Sequence, residues 1–175
     1  MDSKQTKTQN KFLHAYDKYS DEIFRFCMLK VRNRENATDI VQDAFIKTWE
    51  YLERGNEIKQ IRPFLYRTAY NLIVDHSRKK STLSIEDTVN LDTDLGHEDD
   101  LTKTVDSIDG KLAIELLDGL TDQYRLIIEM KYLQGLTLSE IAYATKKKKE
   151  TISVQIHRAE KVLKDLYKAK YEENI

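Results

Sequence analysis

Two sets of polar side chains at helical spacing are the residues in this chain best suited to chemistry. Arg67, Asn71, Asp75 and Arg78 follow one another at steps of four, four and three, which places them on one stripe of a helix. Such a row can pair along itself as a solvated face. It can also read nucleic acid, because Arg and Asn bond base edges and phosphates. Aromatic residues interleave with the cations: Phe64, Tyr66 and Tyr70 lie beside Arg62, Arg67 and Arg78. Rings among cations suit unstacked bases, and they equally suit a helix core. The second set is Glu150, Thr151, Ser153, Val154, His157, Arg158 and Lys161, just after the lysines 146–149. It contains several groups able to bond bases or phosphates, and Lys148 and Lys149 are placed to anchor a phosphate backbone.

Catalytic constellations are missing from the pattern. The four histidines, at 14, 76, 97 and 157, form no His-x-x-x-His pair. Asp75 and His76 are neighbours on a helix and face different ways. No phosphate-binding glycine loop, serine elbow or metal-ligand spacing occurs. The single cysteine, Cys27, lies in the apolar run Phe26-Cys27-Met28-Leu29 and reads as a buried small hydrophobe. The expectation is a binding protein with no catalytic residues, no cofactor, no metal and no small-molecule substrate.

Helices must position these side chains. Phe12, Ala15, Tyr16, Tyr19, Ile23, Phe26 and Cys27 recur at steps of three and four, and so do Ala37, Ile40, Val41, Ala44, Phe45, Thr48, Trp49 and Leu52. The outer face of the second set carries Asp39, Gln42, Asp43, Ile46 and Lys47, and Gly55-Asn56 ends it. Pro63 suits the first turn of a third helix, with Leu65, Ala69, Leu72 and His76 inward. Later, Thr121 can cap a helix through Arg125, Leu126, Ile127, Met130 and Leu133, stopped by Gly135. Thr137-Leu138-Ser139-Glu140 has the form of a capping box before a short helix to about Ala144. A turn follows, then a long helix over about 149–168, with Ile152, Ile156, Ala159 and Leu163 inward. Helix, tight turn and longer helix is a helix-turn-helix layout.

Composition agrees with an all-α fold. Gly and Pro total only 6 of 175 residues, too few for the turns of a sandwich or barrel. The net charge of −1 conceals a layout. Residues 1–80 hold 16 Lys/Arg and 11 Asp/Glu, net +5; residues 81–110 hold 1 and 9, net −8; residues 111–175 hold 12 and 10, net +2. Two mildly basic blocks, 1–80 and 111–175, flank an acidic connector at 81–110, read as an extended linker. Apolar runs reach about four residues, far below the ~18 that span a bilayer, so no membrane insertion is expected. The first residues lack the apolar core of a signal peptide, and the expected location is the cytoplasm.

The ordered set of motifs resembles a bacterial sigma factor of the extracytoplasmic-function type, within the sigma-70 family. The first block is similar to the sigma-2 domain through Ala37-x-Asp39-Ile40-Val41-Gln42-Asp43-Ala44-Phe45, Trp49, and Pro63-Phe64-Leu65-Tyr66-Arg67-x-Ala69-x-Asn71-x-x-x-Asp75-x-x-Arg78. The last is similar to sigma-4 through Leu120-x-x-x-Tyr124-Arg125, Gly135-Leu136-Thr137-x-x-Glu140-Ile141-Ala142, Thr151-Ile152 and His157-Arg158-Ala159. The resemblance implies two small helical domains, a sigma-2-like bundle and a sigma-4-like helix-turn-helix, joined by the acidic linker. It implies docking on core RNA polymerase, at the beta-prime clamp helices and the beta flap, with Asp39, Gln42, Asp43, Ile46 and Lys47 facing the clamp. It implies recognition and melting of the promoter minus-10 element by Asn56, Lys59, Arg62, Phe64, Tyr66, Arg67, Asn71, Asp75 and Arg78. The minus-35 element falls to Lys148, Lys149, Thr151, Ser153, Val154, His157 and Arg158. The linker would lie along the RNA exit path, and an anti-sigma factor is a further partner the resemblance admits.

The chain departs from the family pattern on its readout surfaces. Glu150 stands where Gly is usual, lysines 146–149 where the turn is usually small and apolar, Gln155 and Tyr70 where Arg is common, and Phe64 where Trp is frequent. The competing reading is a helix-turn-helix regulator that binds duplex DNA without polymerase. It accounts for the last block and leaves the face of residues 64–78 without a purpose.

Overall fold

In the computed structural model the described residues are 3–83 and 108–171, and their regular structure is helical throughout. The chain divides into two compact units, Met1–Glu98 and Asp99–Ile175. Most of the acidic connector, residues 84–107, lies outside the described residues.

The amino-terminal unit packs three helices against one another: α1 (Ser3–Val31), α2 (Arg34–Glu53) and α3 (Ile61–Leu83). The apolar stripes expected on α1 and α2 meet here. Ala15, Ile23, Phe26 and Cys27 are buried against Ala37, Ile40, Ala44 and Phe45, with Leu65 and Ala69 of α3 closing the core. Phe12 bridges two rings of α2, lying 6.1 Å from Phe45 and 5.2 Å from Trp49. Asn33 caps α2, its side chain accepting the Asn36 amide at 2.9 Å, which satisfies an otherwise orphaned donor. Gly55, at φ +82°, takes the left-handed turn that ends α2.

Helix α3 begins at Ile61, and Pro63 sits in its first turn, as its fixed φ suits. The inward stripe of α3 departs from the sequence reading. His76, expected to face inward, is exposed, and Leu72 is half-buried. By that point α3 has passed the end of the core.

Cys27 is fully enclosed, and burial pushes its thiol from 9.0 up to about 12. Ellman's reagent at pH 8 should therefore label it only as fast as the unit opens. The folded value lies above the unfolded one. This contribution to stability is thus intact below pH 9.0 and lost as pH rises towards about 12. Labelling within seconds in native buffer would contradict this.

The carboxy-terminal unit contains α4 (Ile108–Asp118), α5 (Asp122–Ile128), α6 (Leu138–Thr145) and α7 (Lys149–Tyr171). Helix α5 runs on into a π-helical turn, Glu129–Leu133. The wider turn explains why Leu133, expected to pack, is exposed. Ile127, Met130, Ile141, Ala144, Ile152, Ile156 and Ala159 form the buried centre. Leu117, Leu120 and Ile128 extend it, with Tyr124, Val162, Leu163 and Leu166 packed on them. Arg125 ties this region together, reaching Asp118 at 2.6 Å and the buried Glu129 at 2.9 Å. The capping box of α6 is complete: Thr137 Oγ1 accepts the Glu140 amide at 3.3 Å, and Glu140 Oε2 accepts the Thr137 amide at 2.9 Å. Lys146, left-handed at φ 56°, turns the chain out of α6 and into α7.

Candidate nucleic-acid interface

Helix α7 is seated by α4, α5 and α6 through Ile152, Ile156 and Ala159, which are buried. The intervening positions therefore point away from the unit. Lys148, Lys149, Thr151, Ser153, Val154, His157 and Arg158 are all exposed, as are Glu150 and Lys161. Gln155 is half-buried, and Lys147 Nζ donates to its Oε1 at 3.4 Å. This contact joins the turn to the helix. Lys146, Lys148 and Lys149 remain as exposed cations around the α7 amino terminus.

In the amino-terminal unit the expected residues separate into two neighbouring faces. Asp39, Gln42, Asp43, Ile46 and Lys47 are exposed along α2. Ile46 is 54% exposed, an apolar group in the middle of polar ones. Asn71, Asp75 and Arg78 are exposed on α3, and Arg67 is half-buried above them. A cleft of about 560 Å3 between α2 and α3 is lined by Asp39, Asp43 and Lys47 on one side and by Asp75 and Arg78 on the other. The fold thus brings together two sets more than twenty-five residues apart in the chain.

The loop 54–60 is held at both ends. Asn56 Nδ2 donates to the Tyr51 carbonyl at 3.0 Å, and Lys11 Nζ of α1 donates to the Ile58 carbonyl at 2.8 Å. Ile58 itself is buried, while Asn56 and Lys59 are exposed. The Tyr51 ring, 39% exposed, leans on Phe64 at 5.1 Å. Periodicity overlooks Tyr51, because it lies on the outer part of α2. Its aromatic type near a Gly-Asn turn is the signal that would have marked it.

Tyr66 stands apart from the other expected readout residues. Its exposure is 0%, and its hydroxyl donates to Glu22 Oε1 at 2.8 Å. It touches no solvent, so its place is in the core. At 100° per residue it falls beside Leu65 and Ala69, on the inner face. Arg62 is drawn to the same carboxylate, with Nε at 2.7 Å and Nη2 at 2.6 Å from Glu22 Oε1. Burial, then the bond to Glu22, hold the Tyr66 phenol far above its ordinary value. Glu22 was silent in the sequence, since its partners lie some forty residues away.

The comparisons with known proteins decide the family. The family model of Sigma-70 region 2 matches residues 15–82, and that of Sigma-70, region 4 matches residues 111–163. The chain belongs to the sigma-70 family, in its extracytoplasmic-function branch. This sigma factor is 29% identical over 170 residues to the ECF RNA polymerase sigma factor SigW of Bacillus subtilis, a match covering 89% of this chain and 88% of SigW. It is 25% identical over 164 residues to RNA polymerase sigma factor SigV of the same organism, covering 94% and 95%. Among solved structures, CnrH bound to the cytosolic domain of CnrY matches with a TM-score of 0.67 at 17% identity, covering 92% of this chain and 90% of CnrH. RpoE of Bartonella quintana, bound to the anti-sigma factor NepR, matches at 0.69 and 18%, covering 90% and 97%. These likenesses support the same helical fold. The sigma factor directs promoter-specific transcription, and no described helix is long and apolar enough to cross a membrane.

Proposed function

We propose that this sigma factor divides its work between its two units. Residues 1–80 dock on core RNA polymerase through Asp39, Gln42, Asp43, Ile46 and Lys47, and read and open the minus-10 element. Asn56, Lys59, Phe64, Arg67, Asn71, Asp75 and Arg78 carry that second task, with Arg62 and Tyr66 bracing α3 through Glu22. Residues 111–175 read the minus-35 element, with α7 in the major groove and Lys148 and Lys149 on phosphates. The acidic residues 81–110 link the two. The polymerase supplies the chemistry, the sigma factor has no active site of its own, and it acts in the cytoplasm. Because CnrH and RpoE were solved with CnrY and NepR, an anti-sigma factor covering the docking and DNA faces is included in the proposal.

The observation that supports this best is the alternation on α7. Ile152, Ile156 and Ala159 are buried, Leu163 is half-buried, and every expected reader is exposed. The test is run-off transcription with purified protein, sigma-free core polymerase and fragmented genomic DNA. Discrete transcripts sharing two upstream elements are expected. Arg158→Ala and Asn71→Ala should each cut initiation about tenfold or more, the cost of one lost base-edge contact, with affinity for core unchanged. Duplex DNA binding with no affinity for core would instead favour the plain regulator.

A further inference from the structure

Lys11 belongs to α1, yet its ammonium serves a different part of the unit. Its Nζ donates to the Ile58 carbonyl at 2.8 Å, across 47 residues of chain. Ile58 is 2% exposed, and a backbone carbonyl beside so buried a side chain needs a donor. Lys11 itself is exposed, while its neighbour Phe12 packs on Phe45 and Trp49. The core of α1 is therefore complete without Lys11. What Lys11 adds is a charged donor to the loop 54–60, and such a bond is stronger than one between neutral groups.

The loop lies between α2 and α3 and has no helical ladder of its own. Its first half is set by Gly55 and by the bond from Asn56 Nδ2 to the Tyr51 carbonyl at 3.0 Å. Its second half is held by the buried Ile58 side chain and by Lys11. These two holds differ in kind. A buried side chain fixes a position but leaves the adjoining peptide plane free to turn. The bond from Lys11 fixes the plane. The peptide joining Ile58 to Lys59 is trans, so its amide points opposite to its carbonyl. Drawing the Ile58 oxygen towards α1 therefore turns the Lys59 amide away from α1. Asn56 and Lys59, both exposed, flank the pinned residue.

We propose that Lys11 is a positioning residue for minus-10 recognition. It holds the peptide between Ile58 and Lys59 in the orientation that presents Asn56 and Lys59 to a base, and it does so without touching that base. This rests on the reading that the loop 54–60 meets the minus-10 element. Lys11→Met keeps the aliphatic stem and removes the donor, whereas Lys11→Arg keeps a charged donor. Because Lys11 is exposed and outside the core, neither change should unfold the unit.

The test uses holoenzyme assembled from the full chain and core polymerase. It transcribes a promoter library randomised across the minus-10 element, and the transcripts are sequenced. The wild type should enrich one base about tenfold at the position the loop reads. Lys11→Met should lower that enrichment to about twofold or less, at that position alone, with minus-35 preference, affinity for core and urea midpoint unchanged. Lys11→Arg should restore it. In the free protein, hydrogen exchange of the amides at 55–59 should quicken about fivefold with Lys11→Met, the factor a lost bond of this kind is worth. Enrichment that survives Lys11→Met, while Asn56→Ala or Lys59→Ala lowers it, would overturn the proposal and leave the loop reading standing. So would an equal loss over all promoter sequences with Lys11→Met, the mark of a merely structural bond, or exchange no faster than in the wild type. If neither Asn56→Ala nor Lys59→Ala alters any minus-10 preference, the loop reading and this inference fall together.

Discussion

Replacing Glu22 by alanine should destabilise the amino-terminal unit by about 3 kcal/mol, enough to shift a urea midpoint clearly. One carboxylate oxygen there accepts from both Arg62 and Tyr66. Its side chain is 17% exposed and that of Arg62 23%, so screening by water is weak but present. Stripping the acceptor from a buried hydroxyl costs roughly 1–3 kcal/mol, and removing one member of a buried ion pair roughly 3–5. Arg62 can partly turn to water, and the pair is not fully buried, so the ion-pair loss is discounted and the combined effect falls to about 3 kcal/mol. Tyr66→Phe removes only the hydroxyl and should cost about 1 kcal/mol. Glu22→Gln should fall between. A Glu22→Ala variant within about 0.5 kcal/mol of wild type, the range of ordinary surface changes, would show that the triad does not brace α3. In that case Arg62 would regain its standing as a direct DNA contact.

The second large effect is on assembly. Ile46→Asp should weaken binding to core polymerase by about thirtyfold or more, the loss of a central apolar anchor, and abolish transcription at nanomolar sigma factor. Ile46 is an exposed hydrophobe on α2 with Gln42, Asp43 and Lys47 around it. An apolar centre with a polar rim is the pattern of an interface hot spot. Because the side chain already faces water, the substitution should leave the urea midpoint nearly unchanged. That separates a docking defect from a folding one. Fluorescence anisotropy against core polymerase reads the affinity. An unchanged value would move the docking surface away from this face of α2.

Periodicity made much of the fold legible. The stripes on α1 and α2, the capping box of α6 and the inward side of α7 depend on local spacing, and local spacing is what a sequence displays. What escaped it depends on contacts across the chain. Tyr66 belonged by composition to an aromatic-basic readout set, yet the Glu22 carboxylate of another helix draws its hydroxyl inward. Leu133 kept α-helical spacing, but the π turn around it rotates it to the surface. Asn33, the cap of α2, lies one turn before the apolar spacing that starts at Ala37, so periodicity does not mark it. Helix α4 begins at Ile108, inside the acidic stretch 81–110 whose composition reads as linker, and that composition hides its start. The face of α7 could be drawn from the sequence. What its individual residues select could not, since a helical wheel shows direction and the groove supplies the chemistry.

The loop 54–60 illustrates a thermodynamic point. Fixing one residue's backbone costs about 1–2 kcal/mol in lost freedom. Here Gly55 sets the turn, Asn56 is tied to Tyr51, and Ile58 is both buried and bonded to Lys11. Much of that ordering is complete before any ligand arrives. Under the proposed minus-10 role, a nucleotide on this loop would meet a surface already low in entropy, and a larger share of each new contact would be left to favour the separated strands.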